Sequence, residues 1–175
     1  MSNPDFDQMW AAFPDHADFP TLKDLYTFLG GTLVRNIVSP GFGANGNTCA
    51  TRISRALNYG GAPLSRERIR KLGLTRLTGD DGRFYLFRVS EMRTYLAATL
   101  DSEPRTVRNG FREAFAGERG IIAFRVRGWS DATGHIALWN GSEFREEHDD
   151  YRALEDDPDT VFQEAFVESM TLWPL

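Results

Sequence analysis

The chain contains a single cysteine, Cys49, at the start of the segment "CATRISRALNYGG". Thr48 or Asn47 can act as the N-cap of a helix there, which places the thiol in the first helical turn. The unpaired backbone N–H groups and the macrodipole of such a turn favour the thiolate, which is the nucleophilic form of cysteine. The same N–H groups, above all that of Cys49, are candidates for an oxyanion hole in acyl transfer.

The apolar pattern of this helix also allows a purely structural interpretation of Cys49. The residues that share its helix face are Ile53, Ala56 and Leu57. A free cysteine on such a stripe commonly serves as a small buried hydrophobe. The glycine-rich segment 41–46 before the helix favours the functional interpretation, because it allows the chain to leave the thiol accessible.

A histidine that could act as a base for this thiol lies in the segment "GHIALWNGSEFREE". If Asn140–Gly141 forms a two-residue hairpin turn, residues equidistant from the turn face each other, and His135 faces Glu146. Opposed side chains lie on one face of a hairpin, so this carboxylate can fix the imidazole tautomer and stabilise its protonated form. A longer turn or a bulge would place Glu147 or Asp149 opposite the histidine instead.

Other polar residues carry weaker indications. His16 and His148 are expected at the surface without a role. Trp129 and Ser130 could line a substrate cleft, but an ordinary exposed loop is the favoured interpretation. One cysteine and three dispersed histidines show no spacing typical of metal ligands, so neither a metal nor another cofactor is expected.

Helix-forming patterns occupy the first half of the chain, and strand-forming patterns dominate the second half. This order predicts a single α+β domain spanning residues 1–175, in which helices precede an antiparallel sheet. An acidic segment near the C-terminus, 146–159, is expected to be a solvated loop. The predicted helices are 4–13, 21–29, 48–59, 90–100, with Ser90 as the cap, and a short one within 108–117. The predicted strands are 83–89, 120–126, 133–139, 142–147 and 161–175.

Composition excludes several classes of partner. The 175 residues are 41% apolar and 13% aromatic, which suits a globular protein with a sizeable core. The net charge of −5 and the scattered basic residues argue against a nucleic-acid partner. No window is long and apolar enough to span a membrane, and no secretory signal is visible at the N-terminus. We therefore expect synthesis in the cytoplasm and no membrane interaction.

Four segments together resemble the type VI secretion amidase effectors of the fourth family: "NTCATRISRALN", "FYLFRVSEMRTYL", "GIIAF…GWSDATGHIALWNGS" and "TLWPL". The resemblance implies a papain-like fold whose nucleophile helix packs on an antiparallel sheet. It also implies that Cys49 is the nucleophile and His135 the general base. The family's third residue, an aspartate, falls on Glu146 when no gap is introduced, and Asp149 or Asp150 remain alternatives for that role.

The same resemblance implies an antibacterial peptidoglycan amidase. Such an enzyme cleaves the bond between γ-D-glutamate and meso-diaminopimelate in stem peptides. The resemblance further implies delivery by the type VI secretion apparatus to the periplasm of a target bacterium, without a signal peptide, and a cognate immunity protein that blocks the cleft. Two other hypotheses remain open: a papain-like acyltransferase, and a non-catalytic domain that binds cell-wall peptides.

Overall fold

A computed structural model of the protein describes residues 3–38, 42–43, 46–128, 134–154 and 165–175. Helices dominate the N-terminal half, and strands dominate the C-terminal half. This order confirms the predicted α+β class. Trp129 and Ser130 lie outside the described residues. The helices are α1 (Phe6–Ala12), α2 (Leu22–Leu29), α3 (Gly31–Asn36), α4 (Cys49–Tyr59), α5 (Arg66–Lys71) and α6 (Val89–Thr99). The strands are β1 (Leu77–Thr78), β2 (Phe84–Tyr85), β3 (Arg105–Val107), β4 (Gly120–Arg127), β5 (Gly134–Trp139) and β6 (Phe166–Pro174).

The N-terminal helices are bounded by residues whose local chemistry starts or stops a helix. Asp5 caps α1 through its carboxylate, and Thr21 and Asp24 form a reciprocal capping box at α2. Gly30 ends α2 with φ +69°, and a Cβ atom there would lie 2.0 Å from the carboxylate of Asp80. The helix predicted at 21–29 therefore ends as expected at Leu29, and α3 begins at Gly31.

Helix α4 is buried on almost every side, although its sequence pattern indicated only one buried face. Its apolar face packs against α1 and β5. The polar residue Asn58 is also buried, and its carboxamide donates to the Phe84 carbonyl and accepts from the Leu64 N–H. These bonds compensate for the loss of water around the amide, so α4 is held by polar contacts as well as by its apolar face.

The main sheet has the strand order β3-β6-β4-β5, with all neighbouring strands antiparallel. Alternate side chains of β4 point to the two faces of the sheet, so Ile121 and Ala123 belong to the apolar cluster beneath α4. Ile122 and Phe124 belong to a second cluster on the opposite face. Strand β5 lies at one edge of this sheet and β3 at the other, and α4 packs directly on β5. Among the described residues, no helix combines the length and apolar character needed to cross a bilayer.

Two segments predicted to be regular secondary structure form mainly turns. The helix predicted within 108–117 is wrong, because Gly110, Phe115 and Gly117 adopt left-handed φ values of 61°, 65° and 79°. A right-handed helix cannot continue through such residues. Of the strand predicted at 83–89, only two residues pair with β1.

The chain after β2 is attached to helix α4 rather than to another strand. The Ser54 hydroxyl of α4 accepts from the Leu86 N–H at 2.9 Å and is also within 3.1 Å of the Leu86 carbonyl oxygen. Both residues are buried. This side-chain-to-backbone pairing explains why the predicted strand ends early, and it fixes α4 relative to the segment that leads into α6.

We expect Ser54→Ala to lower the free energy of unfolding by about 1–3 kcal/mol, because it leaves the buried Leu86 N–H without an acceptor. Denaturant unfolding of the parent and the variant measures the difference. Ser90→Ala is the matched control, since Ser90 is exposed and is not the cap of α6, whose N-cap is Arg88. The control should change stability by no more than about 0.5 kcal/mol. Equal stability of all three proteins would contradict this account.

Candidate active site

Cys49 is the first residue of α4, so its thiol lies at the N-terminus of a helix, as predicted. The Asn47 carboxamide oxygen accepts a hydrogen bond from the Cys49 N–H at 3.0 Å, whereas Thr48 makes no side-chain capping bond. The thiol is buried yet borders a surface pocket. The N–H expected to contribute to an oxyanion hole is therefore engaged by Asn47 in the free protein.

His135 lies near the start of β5, where its backbone pairs with Phe124 of the neighbouring strand. Its Nε2 atom is 2.7 Å from Oδ1 of Asp149, whose side chain is almost completely buried. The ring of Tyr151 contacts the imidazole edge-on, with 4.8 Å between the ring centroids. A charged hydrogen bond and an aromatic contact thus fix the orientation of the imidazole.

Glu146 does not contact His135, so the predicted pairing of these two residues is wrong in this structure. Its carboxylate instead accepts from the His16 N–H at 2.6 Å and approaches His16 Nδ1 at 2.8 Å. Of the carboxylates considered at the sequence level, Asp149 is the one that reaches the imidazole. Asp150 pairs with Arg152 at the surface.

The pairing prediction failed because the turn after β5 is longer than two residues. The Asn140 carboxamide oxygen accepts from the Ser142 N–H and the Glu143 N–H, both at 2.9 Å. These bonds close a loop of four residues, 140–143, so Trp139 pairs with Phe144 across it. The predicted return strand is reduced to this single bridge, and the chain then enters a short 3₁₀ helix, Glu147–Asp149, which carries Asp149 inward.

The N-terminal segment 14–19 forms a third side of the site and is anchored from α4 by Arg52. This buried guanidinium donates to the carbonyl oxygens of Pro14 and Phe19 and to the hydroxyl of Thr48. Burial lowers the pKa of Arg52, while the nearby carboxylates oppose that effect. Full hydrogen bonding of this kind is what makes a buried cation tolerable.

A pocket of about 230 Å³ lies where the start of α4, strand β5 with the loop after it, and the N-terminal segment meet. Its wall includes the Cys49 thiol and the His135 ring, so both reactive groups face the same space. The sequence prediction that these two residues come together is therefore matched by the geometry. Other residues that line the pocket come from the N-terminal segment, the start of α2 and the loop after β5, and they include His16, Thr21, His148 and Tyr151.

The electrostatics of the site favour the protonated form of the His135 imidazole. Burial acts to lower the pKa of His135, but the charge of Cys49, a hydrogen bond to Asp149, and a hydrogen bond to Cys49 outweigh it and raise that pKa from 6.5 to about 10. An imidazolium held in this way can donate a proton to a leaving group, and a thiolate beside it can attack a carbonyl carbon.

His16, His148 and Tyr151 were not recognised as site residues from the sequence. His16 lies more than one hundred positions from the other two, and no local pattern marks it. Tyr151 and His148 fall within the acidic segment, where charge suggested a solvated loop. The buried hydrogen bond of Asp149 is what turns part of that segment inward.

A protein-family model described as "Type VI secretion system (T6SS), amidase effector protein 4" (Tae4) matches residues 45–173, which is more than half of the chain and includes Cys49, His135 and Asp149. Among curated proteins, the comparison finds no match.

Solved structures resemble the chain over nearly its whole length. A chain in the structure of the effector Tae4 from Salmonella typhimurium in complex with the immunity Tai4 from Enterobacter cloacae is 33% identical, with a TM-score of 0.78. A chain in the effector–immunity system Tae4/Tai4 from Salmonella typhimurium is 32% identical, with a TM-score of 0.78. A third, in the Tae4–Tai4 complex from Enterobacter cloacae, is 30% identical, with a TM-score of 0.77. Each similarity covers 99% of both chains.

We expect the His135 imidazole to remain protonated well above neutral pH, because its pKa is raised to about 10. Asp149→Asn removes a negative charge and the charged hydrogen bond, so the pKa of His135 should fall by about 1–3 pH units. NMR titration of isotope-labelled histidine measures both values. Asp150→Asn is the matched control and should leave the titration unchanged, since Asp150 pairs with Arg152. A parent His135 that titrates near 6.5 would overturn this description of the site.

Proposed function

The chain belongs to the type VI secretion system amidase effector protein 4 family, and we propose that it hydrolyses the γ-D-glutamyl–meso-diaminopimelate bond of peptidoglycan stem peptides. In this proposal Cys49 is the nucleophile, His135 the general acid and base, and Asp149 the residue that orients the imidazole. The observation that carries the proposal is the shared pocket of Cys49 and His135, with Asp149 2.7 Å behind the ring. Glu146 is assigned no catalytic role.

In the first half of the reaction the Cys49 thiolate attacks the carbonyl carbon of the scissile amide. Negative charge then develops on the carbonyl oxygen, and the His135 imidazolium gives its proton to the leaving amine. The C–N bond breaks, the amine departs, and the acyl group remains on sulfur as a thioester. Asp149 stays ionised throughout and keeps the ring aimed at the sulfur.

In the second half His135, now neutral, removes a proton from water, which attacks the thioester carbonyl. The C–S bond breaks, the carboxylic acid product leaves, and the thiolate and imidazolium are restored. The N-terminus of α4 supplies the donors for the oxyanion in both halves. For the Cys49 N–H to take part, the substrate oxygen must displace the Asn47 carboxamide that occupies it in the free protein.

The proposed partners follow from the family. Related effectors have been solved in complex with the immunity protein Tai4, and we infer that a cognate immunity protein binds this chain and blocks its cleft. The type VI secretion apparatus is the proposed delivery route, and the periplasm of a target bacterium the proposed place of action. An amidase that damages the cell wall there would act as an antibacterial toxin.

We expect Cys49→Ala to abolish cleavage of purified muropeptides, because the covalent step loses its proposed nucleophile. Mass spectrometry of the digest identifies the bond that the parent protein cuts. Thermal unfolding serves as the control, and the variant should stay within about 1 kcal/mol of the parent, since only one sulfur atom is removed.

The digest also separates the rival functions. Two free stem-peptide fragments support hydrolysis, whereas a product with a new amide or ester bond would indicate acyl transfer. A parent protein that binds the muropeptides and leaves them intact would instead support a non-catalytic binding domain.

Comparison of two carboxylate variants tests which acid orients the histidine. Asp149→Asn should lower kcat/KM by about 10²–10⁴-fold, because the imidazole loses the group that fixes its tautomer and stabilises its charge. Glu146→Gln removes an equal charge three residues away but leaves the bond between His135 and Asp149 in place, so its loss should be much smaller. Steady-state kinetics on one muropeptide measures both. A larger loss for Glu146→Gln would refute the assignment.

A further inference from the structure

Outside the proposed catalytic residues, three side chains with metal-binding atoms meet at the edge of the same pocket. They are His16, Glu146 and His148, and one ligand atom from each lies within 4.8 Å of the other two. The Glu146 carboxylate is 2.8 Å from His16 Nδ1 and 3.7 Å from His148 Nε2. The rings of His16 and His148 stand edge-on, with 4.5 Å between their centroids.

The fold makes this cluster from segments that are far apart in the sequence. His16 belongs to the N-terminal segment that Arg52 anchors, whereas Glu146 and His148 flank the start of the 3₁₀ helix after β5. Glu146 holds the two segments together, since it also accepts from the His16 N–H at 2.6 Å. The sequence spacing therefore gave no indication of a metal site, although the ligands are in place in the folded chain.

The chemistry of this donor set matches a borderline divalent cation. Two imidazoles and one carboxylate, with a fourth position open to water, are a common ligand set for Zn²⁺. Hard cations such as Mg²⁺ and Ca²⁺ prefer all-oxygen ligands, so they fit the site poorly. His148 is about half exposed, at 54%, which leaves room for a water ligand and for entry of the ion from solvent.

The electrostatic surroundings also suit a cation. The Glu146 carboxylate supplies one negative charge within the cluster, next to both imidazoles. Asp149 Oδ1, which pairs with His135, also lies 3.8 Å from His148 Nε2. Arg52 is a nearby positive charge, but each of its three guanidinium nitrogens already donates to a carbonyl or hydroxyl oxygen of the chain.

We infer that His16, Glu146 and His148 form a Zn²⁺ site on the wall of the pocket that holds Cys49. This inference does not rest on the proposed peptidoglycan activity, because binding of the ion requires neither the thiol nor the substrate. Because both histidines line the pocket, a bound ion would lie directly beside the route to the thiol.

The test measures Zn²⁺ affinity by competition with a chromophoric chelator in the full-length Cys49→Ala protein, which removes the thiolate as an alternative ligand. We expect one bound Zn²⁺ per chain. His16→Ala and His148→Ala should each weaken binding at least 10-fold, because loss of even an outer partner of a metal ligand costs about 10–100-fold. Co²⁺ added in place of Zn²⁺ should produce visible d–d absorption bands typical of a four-coordinate site.

Glu147→Gln, made in the same Cys49→Ala background, is the matched control, because Glu147 is exposed, lies between two members of the cluster in the sequence and is not part of it. It should bind Zn²⁺ as tightly as the Cys49→Ala protein does. Absence of binding in the Cys49→Ala protein would overturn the inference. So would binding that survives His148→Ala or that is lost with Glu147→Gln. Circular dichroism of each variant confirms that it is folded, and the exposed position of His148 makes its substitution readily tolerated.

Discussion

The buried hydrogen bond between His135 Nε2 and Asp149 Oδ1 imposes the strictest requirement on the rest of this fold. Two groups that would be well solvated in the unfolded chain are taken out of water, and each compensates for the desolvation of the other. Removing one partner of such a buried pair typically costs about 3–5 kcal/mol, so the two segments that carry them must be held accurately. Strand β5 positions the histidine through its ladder with β4, and the 3₁₀ helix positions the carboxylate.

The position of the thiol depends on a separate set of buried polar contacts. Helix α4 is fixed by its apolar face against β5 and by Ser54, Asn58 and Arg52 on its other sides. Arg52, a residue of α4, also donates to two carbonyl oxygens of the N-terminal segment. The same guanidinium therefore links α4 to one wall of the pocket. The catalytic geometry proposed for Cys49 and His135 thus relies on side-chain-to-backbone bonds more than on exposed ion pairs, which contribute little to stability.

Features governed by local chemistry could be predicted from the sequence. Helical spacing and glycine stops marked α2 and α4, compact apolar runs marked β4 and β5, and the helix N-terminus identified Cys49 as a candidate nucleophile. The acid partner could not be predicted, because one side chain decides the register. Asn140 bonds to the backbone of its own turn and lengthens it from two residues to four, which moves every later residue relative to His135. His16 was missed because only the tertiary fold brings the N-terminal segment to the loop after β5.

Two carboxylates, three residues apart in the sequence, contact different histidines of the site. Glu146 pairs with His16, and Asp149 pairs with His135. His148 Nε2 lies 3.7 Å from the Glu146 carboxylate and 3.8 Å from the Asp149 carboxylate. Without Glu146, His148 would have only Asp149 as a neighbouring carboxylate of this pair. The negative charge of Asp149 would then be shared between the rings of His135 and His148. Glu146 therefore supports the reactive pair without touching it, since it leaves Asp149 committed to the imidazole next to the thiol. This division accounts for a second, partly buried acid beside a site whose proposed chemistry needs only one.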